Sequence, residues 1–294
     1  MSIQIIDGLG QIADDYGLFV IDQWGVLHDG ETAHPGAVDA MENLRALADR
    51  TGAGIALLSN SGKRVDASYE RLEALGIARR LYDFVLTSGE QVYQGLRQRG
   101  QDSANDPFYA SLGSRFVGFW WDDDRGILEG CDVEEVADVD QADFILCSGT
   151  DRGALEAYRP TLARALARDL PMTCANPDRV SVQPDGSLKM CPGAVAEAYE
   201  QMGGRVRWHG KPQPQAYDVI REHFGFGPEI KGLGIGDSLQ HDIQGAIDSD
   251  LDGLFIAGGI HRQDLSRPLK QQEMADLATQ RGVQPTFAAD LFRW

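Results

Sequence analysis

The 294-residue sequence lacks the features that mark several classes of protein. Its four cysteines are scattered and form no CxxC pair, which disfavours a zinc site and a thioredoxin-like dithiol. No apolar run approaches the roughly 18–20 residues of a membrane span. The first residues lack the basic region and apolar stretch of a secretory signal. We therefore expect a protein of the reducing cytoplasm, in which free cysteines are small core residues.

Positive charge is also scarce. The chain has 45 acidic and 27 basic residues, a net charge of −18, and no basic run. A chain with this balance is poorly suited to hold nucleic acid or an anionic membrane surface by charge. We expect neither partner, and we attribute the acidic surface to solubility.

Several common catalytic motifs are absent as well. The glycines at 232, 234 and 236 do not have the G-x-G-x-x-G spacing of a dinucleotide fingerprint. The six histidines form no HExxH pair, and no G-x-S-x-G elbow surrounds Ser59. These absences disfavour a nucleotide site of that type, a histidine metal site and a serine hydrolase.

What the sequence does contain is an alternation of short apolar runs and amphipathic segments. Apolar runs at 17–21 and 54–58 are predicted strands, and a helix predicted from Pro35 lies between them. The same alternation returns near the C-terminus, where 231–236 and 253–257 are predicted strands and the latter is taken as the last. This rhythm predicts an α/β fold, a doubly wound parallel sheet of the Rossmann-like type.

The middle of the chain follows a different pattern. Strands are predicted at 115–121 and 142–147, with a long helix over 154–168. We therefore predict a core domain made of residues 1–104 and 205–294, with a second α/β domain of residues 105–204 inserted into it.

Carboxylates follow two of the predicted core strands. Asp22 comes directly after the first strand, and Asp237 follows the strand at 231–236, with Asp242 shortly after. Ligands of a doubly wound sheet collect beyond the carboxyl ends of its strands. A carboxylate at the end of a buried strand is costly unless it is paired or binds a metal. Because Mg²⁺ prefers oxygen ligands, these residues predict a magnesium site.

Phosphate-binding groups accompany these carboxylates. Ser59, which ends the strand at 54–58 and precedes Asn60, offers a hydroxyl and the following backbone N–H groups to phosphate oxygens. Lys211 would offset the negative charge of a carboxylate and a phosphoryl group in one pocket. Together the residues predict a nucleophile, a metal and an oxyanion clamp.

The order and spacing of these residues resemble the haloacid dehalogenase-like (HAD) superfamily. The resemblance covers nearly the whole chain and is closest to class IIA members with a C2-type cap, the NagD-like and p-nitrophenylphosphatase-like sugar phosphatases. The matching segments are Asp22–Gly30 (first motif, Asp-x-Asp-Gly-Val-Leu), His34–Ala37 (the Pro-Gly-Ala helix start), Leu58–Ser61 (second motif), Ala175–Asp178 (the cap segment Asn-Pro-Asp), Gly210–Pro212 (third motif) and Gly236–Ala246 (fourth motif, Gly-Asp-x-x-x-x-Asp-Ile-x-Gly-Ala).

The resemblance implies a role for each carboxylate. Asp22 would be the nucleophile that becomes an aspartyl phosphate. Its other oxygen, the backbone carbonyl of Trp24 and Asp237 would hold Mg²⁺, and Asp242 would support the metal site.

The resemblance also implies how the substrate would be held. Ser59, Asn60 and Lys211 would bind the phosphoryl oxygens. The inserted domain would cover the pocket and select the leaving group. Asn176 and Asp178 are the expected contacts from that domain, with a polar turn beside Pro177 as the alternative reading.

The sequence departs from the family at Trp24, where the family's phosphatases carry a second aspartate. That aspartate protonates the leaving oxygen and later takes a proton from water. An indole N–H donates a hydrogen bond but cannot transfer protons near neutral pH. His28 and Asp29 lie in the same segment and are alternatives for this step.

Three functions stay open from the sequence. The first is a Mg²⁺-dependent phosphatase that acts on a small phosphorylated metabolite through an aspartyl phosphate. The second is a catalytically impaired binding or regulatory protein that keeps the fold and the metal site. The third is a metal-independent dehalogenase-type hydrolase, because dehalogenases carry an aromatic residue two positions after the nucleophile. Related capped phosphatases are often dimers, so a homodimer is among the expected assemblies.

Overall fold

The computed structural model describes residues 3–101, 106–182 and 187–294. The predicted boundary at 104/105 lies outside these residues, and the predicted division into domains stays a prediction. Contacts within the chain define two compact units. The core unit comprises Met1–Ser59, Asp66–Leu86 and Lys211–Trp294, and the inserted unit comprises Asn60–Val65 and Thr87–Gly210.

The elements alternate along the chain as short strands and helices. In the described part of the chain, no helix combines the length and the apolar character needed to cross a membrane. The strands are β1 Gln4–Ile5, β2 Leu18–Ile21, β3 Gly54–Ser59, β4 Phe84–Thr87, β5 Arg115–Phe119, β6 Glu134–Glu135, β7 Phe144–Cys147, β8 Met172–Cys174, β9 Val180–Val182, β10 Leu188–Met190, β11 Val206–Trp208, β12 Gly232–Gly236, β13 Asp252–Ile256 and β14 Phe287–Ala289. The α-helices are α1 Ala37–Thr51, α2 Val65–Ala74, α3 Ser88–Arg97, α4 Pro107–Ala110, α5 Arg159–Ala167, α6 Pro192–Gln201, α7 Pro214–Phe224, α8 Gln244–Asp248 and α9 Gln271–Arg281.

A seven-stranded sheet forms the centre of the core unit. Its strand order is β1-β14-β13-β12-β2-β3-β4, and β2 pairs in parallel with both β12 and β3. Residues of β2 and β12 are almost completely buried, as expected of a parallel sheet with both faces covered. The predicted α/β class with a doubly wound parallel sheet is confirmed.

The prediction that 253–257 is the last strand was wrong. β14 follows it in the chain and pairs with β13, and β1 pairs with β14. Both additional strands have only two or three residues. Such short segments leave no run of apolar residues long enough to indicate a strand.

One set of alternate residues in the central strands packs on helix α7. Leu18 and Val20 of β2 belong to one buried cluster with Tyr217 and Ile220 of α7. Helix α1 buries a separate stripe that includes Met41 and Leu44. The period of two along the strands and the spacing of three to four along the helices produce this layered core.

The inserted unit has its own sheet and core. Five parallel strands are ordered β11-β8-β7-β5-β6, and β9 and β10 form a separate antiparallel pair. The helix predicted over 154–168 is shorter, because α5 begins at Arg159 after a 3-10 turn at Leu155–Ala157. Pro160 explains the start: proline lacks an N–H and is tolerated in the first turn of a helix but not in its interior.

Candidate active site

Three carboxylates of the core unit converge beyond the ends of two neighbouring strands. Asp22 follows β2, and Asp237 follows β12. Asp242 lies in the π-helical turn Leu239–Ile243 that comes after Asp237. One oxygen of each carboxylate lies within 4.8 Å of the others, and all three residues are buried. The structure therefore brings together the three carboxylates that the sequence suggested as metal ligands.

Lys211 supplies positive charge to the same cluster. Its ammonium contacts Oδ1 of Asp22 and lies 2.7 Å from Oδ1 of Asp242. Burial alone would lower the pKa of this lysine, but the charges of Asp22 and Asp242 outweigh it and raise that pKa. Lys211 is therefore charged, and the four groups would carry two net negative charges if all the carboxylates were ionised.

Two of the carboxylates have pKa values that burial raises above the ordinary range. Burial raises the pKa of Asp22 to about 7, although the neighbouring Lys211 acts in the opposite direction. Burial, with the nearby charges of Asp22 and Asp242, raises the pKa of Asp237 well above its usual range. A buried group of anions is costly without a counter-charge, and a divalent cation would supply the missing two charges.

Backbone groups hold Asp237 in a pocket with no room for another side chain. A Cβ at Gly25 would lie 2.0 Å from Oδ2 of Asp237, and a Cβ at Gly259 would lie 1.9 Å from it. The N–H of Ile260 donates to the same oxygen at 2.7 Å. This cradle, together with the three clustered carboxylates, fits a small hard cation. Sequence reasoning missed Gly25, Gly259 and Ile260; the available signal was the glycine pair that follows β13.

Asp242 is fixed by the turn that carries it. Its Oδ2 accepts from the N–H of Ser238 at 2.9 Å, and its own N–H donates to the carbonyl of Ser238 at 2.9 Å. A Cβ at Gly236 would lie 2.0 Å from Cγ of Asp242. The glycine that ends β12 therefore leaves the space that this carboxyl occupies.

The segment after Asp22 holds the two residues considered for proton transfer. Nδ1 of His28 accepts from the N–H of Gly30 at 3.1 Å, and its Nε2 is buried with no hydrogen-bond partner among the described residues. Burial lowers the pKa of His28 to about 4. Asp29 is exposed, and its Oδ1 accepts from the N–H groups of Glu31 and Thr32. An uncharged imidazole is a poor acid, and the Asp29 carboxylate closes a turn.

The remaining predicted site residues fall into both units. Ser59 is the last residue of β3 in the core unit. In the inserted unit, Nδ2 of Asn60 donates to Oδ1 of Asp178 at 2.8 Å. The N–H of Asp178 donates to Oδ1 of Asn176 at 2.9 Å. The structure therefore joins Asn60, Asn176 and Asp178 in one hydrogen-bonded group.

Two family models match separate parts of the sequence. The model described as haloacid dehalogenase-like hydrolase matches residues 19–119. A second HAD-hydrolase-like model matches residues 208–280. A search of curated proteins found no match.

Solved structures resemble the chain over most of its length. A hydrolase of the haloacid dehalogenase-like family from Brucella suis is 29% identical, with a TM-score of 0.77, and the match covers 98% of this chain and 100% of that one. The p-nitrophenyl phosphatase of Archaeoglobus fulgidus is 18% identical, with a TM-score of 0.68, over 94% of this chain and 96% of that one. A glycerol phosphate phosphatase from Mycobacterium tuberculosis in complex with magnesium is 21% identical, with a TM-score of 0.63, over 85% of this chain and 70% of that one.

Proposed function

We propose that this chain, which belongs to the haloacid dehalogenase-like hydrolase family, is a Mg²⁺-dependent phosphatase of a small phosphorylated metabolite. The observation that carries the proposal is the buried group of Asp22, Asp237 and Asp242 beside Lys211. This group places a candidate nucleophile, carboxylate oxygens suited to a hard cation and a positive charge close together.

The metal ligands would be Asp22, the backbone carbonyl of Trp24 and Asp237, with Asp242 in support. Magnesium bound there would neutralise charge on the phosphoryl oxygens. The fold shared with a magnesium-bound glycerol phosphate phosphatase and a p-nitrophenyl phosphatase is compatible with this proposal.

Asp22 would act as the nucleophile. One of its carboxylate oxygens would form a bond to phosphorus as the bond from phosphorus to the leaving oxygen breaks, and the leaving oxygen would keep the bonding electron pair and take a proton from water. Water then attacks the phosphorus of the aspartyl phosphate, inorganic phosphate leaves, and the carboxylate is restored. Lys211, Ser59 and Asn60 would bind the phosphoryl oxygens in both steps. We also propose that Asn176 and Asp178 belong to a cap, over the predicted residues 105–204, that selects the leaving group.

Trp24 keeps a second candidate function open. A phosphatase of this family needs a proton donor two residues after its nucleophile, and here that position holds an indole. Nδ1 of His28 accepts a hydrogen bond from Gly30, and the Asp29 carboxylate accepts one from Glu31. Neither residue is therefore an evident replacement for the missing acid. A catalytically impaired binding protein is therefore the alternative. The clustered carboxylates argue against the metal-independent dehalogenase reading.

The nucleophile can be tested with Asp22→Asn. We expect the variant to lose hydrolysis of p-nitrophenyl phosphate at millimolar MgCl₂ and to lose binding of beryllofluoride, which mimics the aspartyl phosphate. Asp39→Asn is the matched control, because it makes the same change at an exposed residue of α1 to which the proposal gives no role. Turnover at the wild-type rate in Asp22→Asn would remove the covalent mechanism. A wild type that binds Mg²⁺ but hydrolyses no ester would favour the impaired protein.

A further inference from the structure

Trp24 carries a partly exposed aromatic ring on the segment that follows Asp22. It lies two residues after Asp22 and directly before Gly25, the residue that borders Asp237. Large apolar side chains are usually buried, yet Trp24 is 37% exposed. Part of the ring is therefore open to a ligand, on a segment whose next residue borders the carboxylate cluster.

Two neighbours hold this ring in place. A Cβ at Gly30 would lie 2.4 Å from Cη2 of Trp24, so the indole passes directly over that glycine. The ring of His28 meets the indole edge to face, with the centroids 5.8 Å apart and the planes at 81°. The indole therefore has packed contacts on some of its surface and leaves the rest available to a ligand.

The same position lacks a proton donor for the leaving group. A positioned general acid contributes about 10²–10⁴-fold in rate, and this contribution matters most for a strongly basic alkoxide. An aryl oxide leaves as a delocalised anion and needs such help far less. The absence of an acid at position 24 favours an aryl oxide as the leaving group. The flat aromatic side chain at that position favours the same class.

We propose that Trp24 is a specificity-determining residue that stacks on the aromatic ring of an aryl phosphate. The inference rests on the proposed phosphatase function and names its substrate class. Asp22 forms its bond to phosphorus as the bond from phosphorus to the aryl oxygen breaks. The aryloxide leaves with the bonding electron pair and takes its proton from water.

Binding of phosphonates tests the stacking without any turnover. Phenylphosphonate and cyclohexylphosphonate present the same anion on a flat and on a puckered ring, and calorimetry in MgCl₂ measures both affinities. Because an aromatic pair is worth about 0.5–1.5 kcal/mol beyond its buried area, we expect wild type to prefer the phenyl compound by about two- to tenfold. Trp24→Leu should bring this ratio close to one, and Trp24→Phe should keep part of it.

Turnover supplies a second, independent measurement. Phenyl phosphates and acetyl phosphate both have leaving groups that need little protonation, but acetyl phosphate carries no ring. We expect the ratio of kcat/KM for p-nitrophenyl phosphate over acetyl phosphate to fall about two- to tenfold in Trp24→Leu and less in Trp24→Phe. Circular dichroism of both variants checks that they fold.

The outcomes separate this inference from the function on which it rests. Equal affinity of wild type for the two phosphonates, or the same ratio in wild type and Trp24→Leu, would overturn the stacking role even if Asp22-dependent turnover is normal. A preference for the phenyl compound that depends on Trp24, in a protein that hydrolyses no ester, would support the stacking role and reject the phosphatase. Failure to bind either phosphonate would count against both.

Discussion

At the scale of single residues, the carboxylate cluster depends on glycines, which have no side chain, as well as on its charged residues. Gly25 and Gly259 lie so close to Oδ2 of Asp237 that a methyl group at either would overlap it. The backbone at Gly25 has a φ of +84°, a region that favours glycine, whereas Gly259 has no such strain. Gly259 therefore allows the steric role to be tested without disturbing the backbone.

We expect Gly259→Ala to weaken Mg²⁺ binding by about 10- to 100-fold, the range found when groups supporting a metal ligand are changed. The added Cβ would lie 1.9 Å from Oδ2 of Asp237 and displace the carboxyl. Isothermal titration with MgCl₂ measures the effect. Gly258→Ala is the matched control, because its Cβ would meet Leu291 and the carbonyl of Asp290 instead. Unchanged affinity in Gly259→Ala would mean that Asp237 is not held there as a ligand.

At the scale of elements, strand pairing decides which polar residues meet. The parallel register of β12 on β2 places Ile235 opposite Ile21, and the N–H of Asp22 donates to the carbonyl of Ile235. The residues that leave these two strands therefore emerge side by side, although they are more than 200 positions apart in the chain.

Elements of the inserted unit enclose a buried polar group of a different kind. The hydroxyl of Tyr109 in α4 lies 2.7 Å from Nε2 of His209, just after β11, and 2.9 Å from Oγ1 of Thr173 in β8. Burial lowers the pKa of His209 to about 3. The imidazole is therefore uncharged in the folded protein at neutral pH.

This histidine predicts a loss of stability in mild acid. Between the unfolded pKa of about 6.5 and the folded value of about 3, the unfolded chain binds a proton that the folded chain does not, so stability falls as pH falls. From pH 7.5 to 5.5, His209 should contribute a loss of about 1.4 kcal/mol in the free energy of unfolding. Urea unfolding at both pH values should show a smaller loss in His209→Gln.

The control for this prediction is Tyr109→Phe. It removes the hydroxyl beside His209 but keeps the imidazole, so we expect lower stability at both pH values and an unchanged dependence on pH. An equal loss of unfolding free energy from pH 7.5 to 5.5 in wild type and His209→Gln would contradict the prediction. It would show that the folded protein accepts the proton on His209.

At the scale of the whole molecule, the net charge of −18 affects any experiment with cations. A chain this acidic attracts Mg²⁺ to its surface without a specific site, and this attraction is screened by salt. A specific site in the core unit must therefore be distinguished from general binding of counter-ions.

We expect MgCl₂ to raise the melting temperature at constant ionic strength, because a ligand that binds only the folded state stabilises it. At about 100 times Kd the gain is about 2.7 kcal/mol, which corresponds to several degrees. Asp237→Asn should abolish the rise while keeping the shape of the side chain. The same rise in wild type and Asp237→Asn would assign the effect to the acidic surface.

The sequence by itself determined the class of fold and the family. Buried strands can be recognised as apolar runs, because both faces of a parallel sheet must be apolar. The motif spacings around Asp22 and Asp237 can be recognised without any knowledge of contacts. The replacement at Trp24 is equally visible in the sequence. The short strands β1 and β14 were missed, since their pairing depends on partners distant in the chain.

Only the tertiary structure decided how the site is assembled. The three carboxylate oxygens within 4.8 Å of one another, the glycine cradle around Asp237 and the bond from Asn60 to Asp178 all join residues of different segments of the chain. The exposure of the Trp24 ring and the engagement of His28 by Gly30 are likewise matters of packing. A sequence pattern records which groups are available, whereas distance, burial and charge balance arise only when the strands pair and bring those groups together.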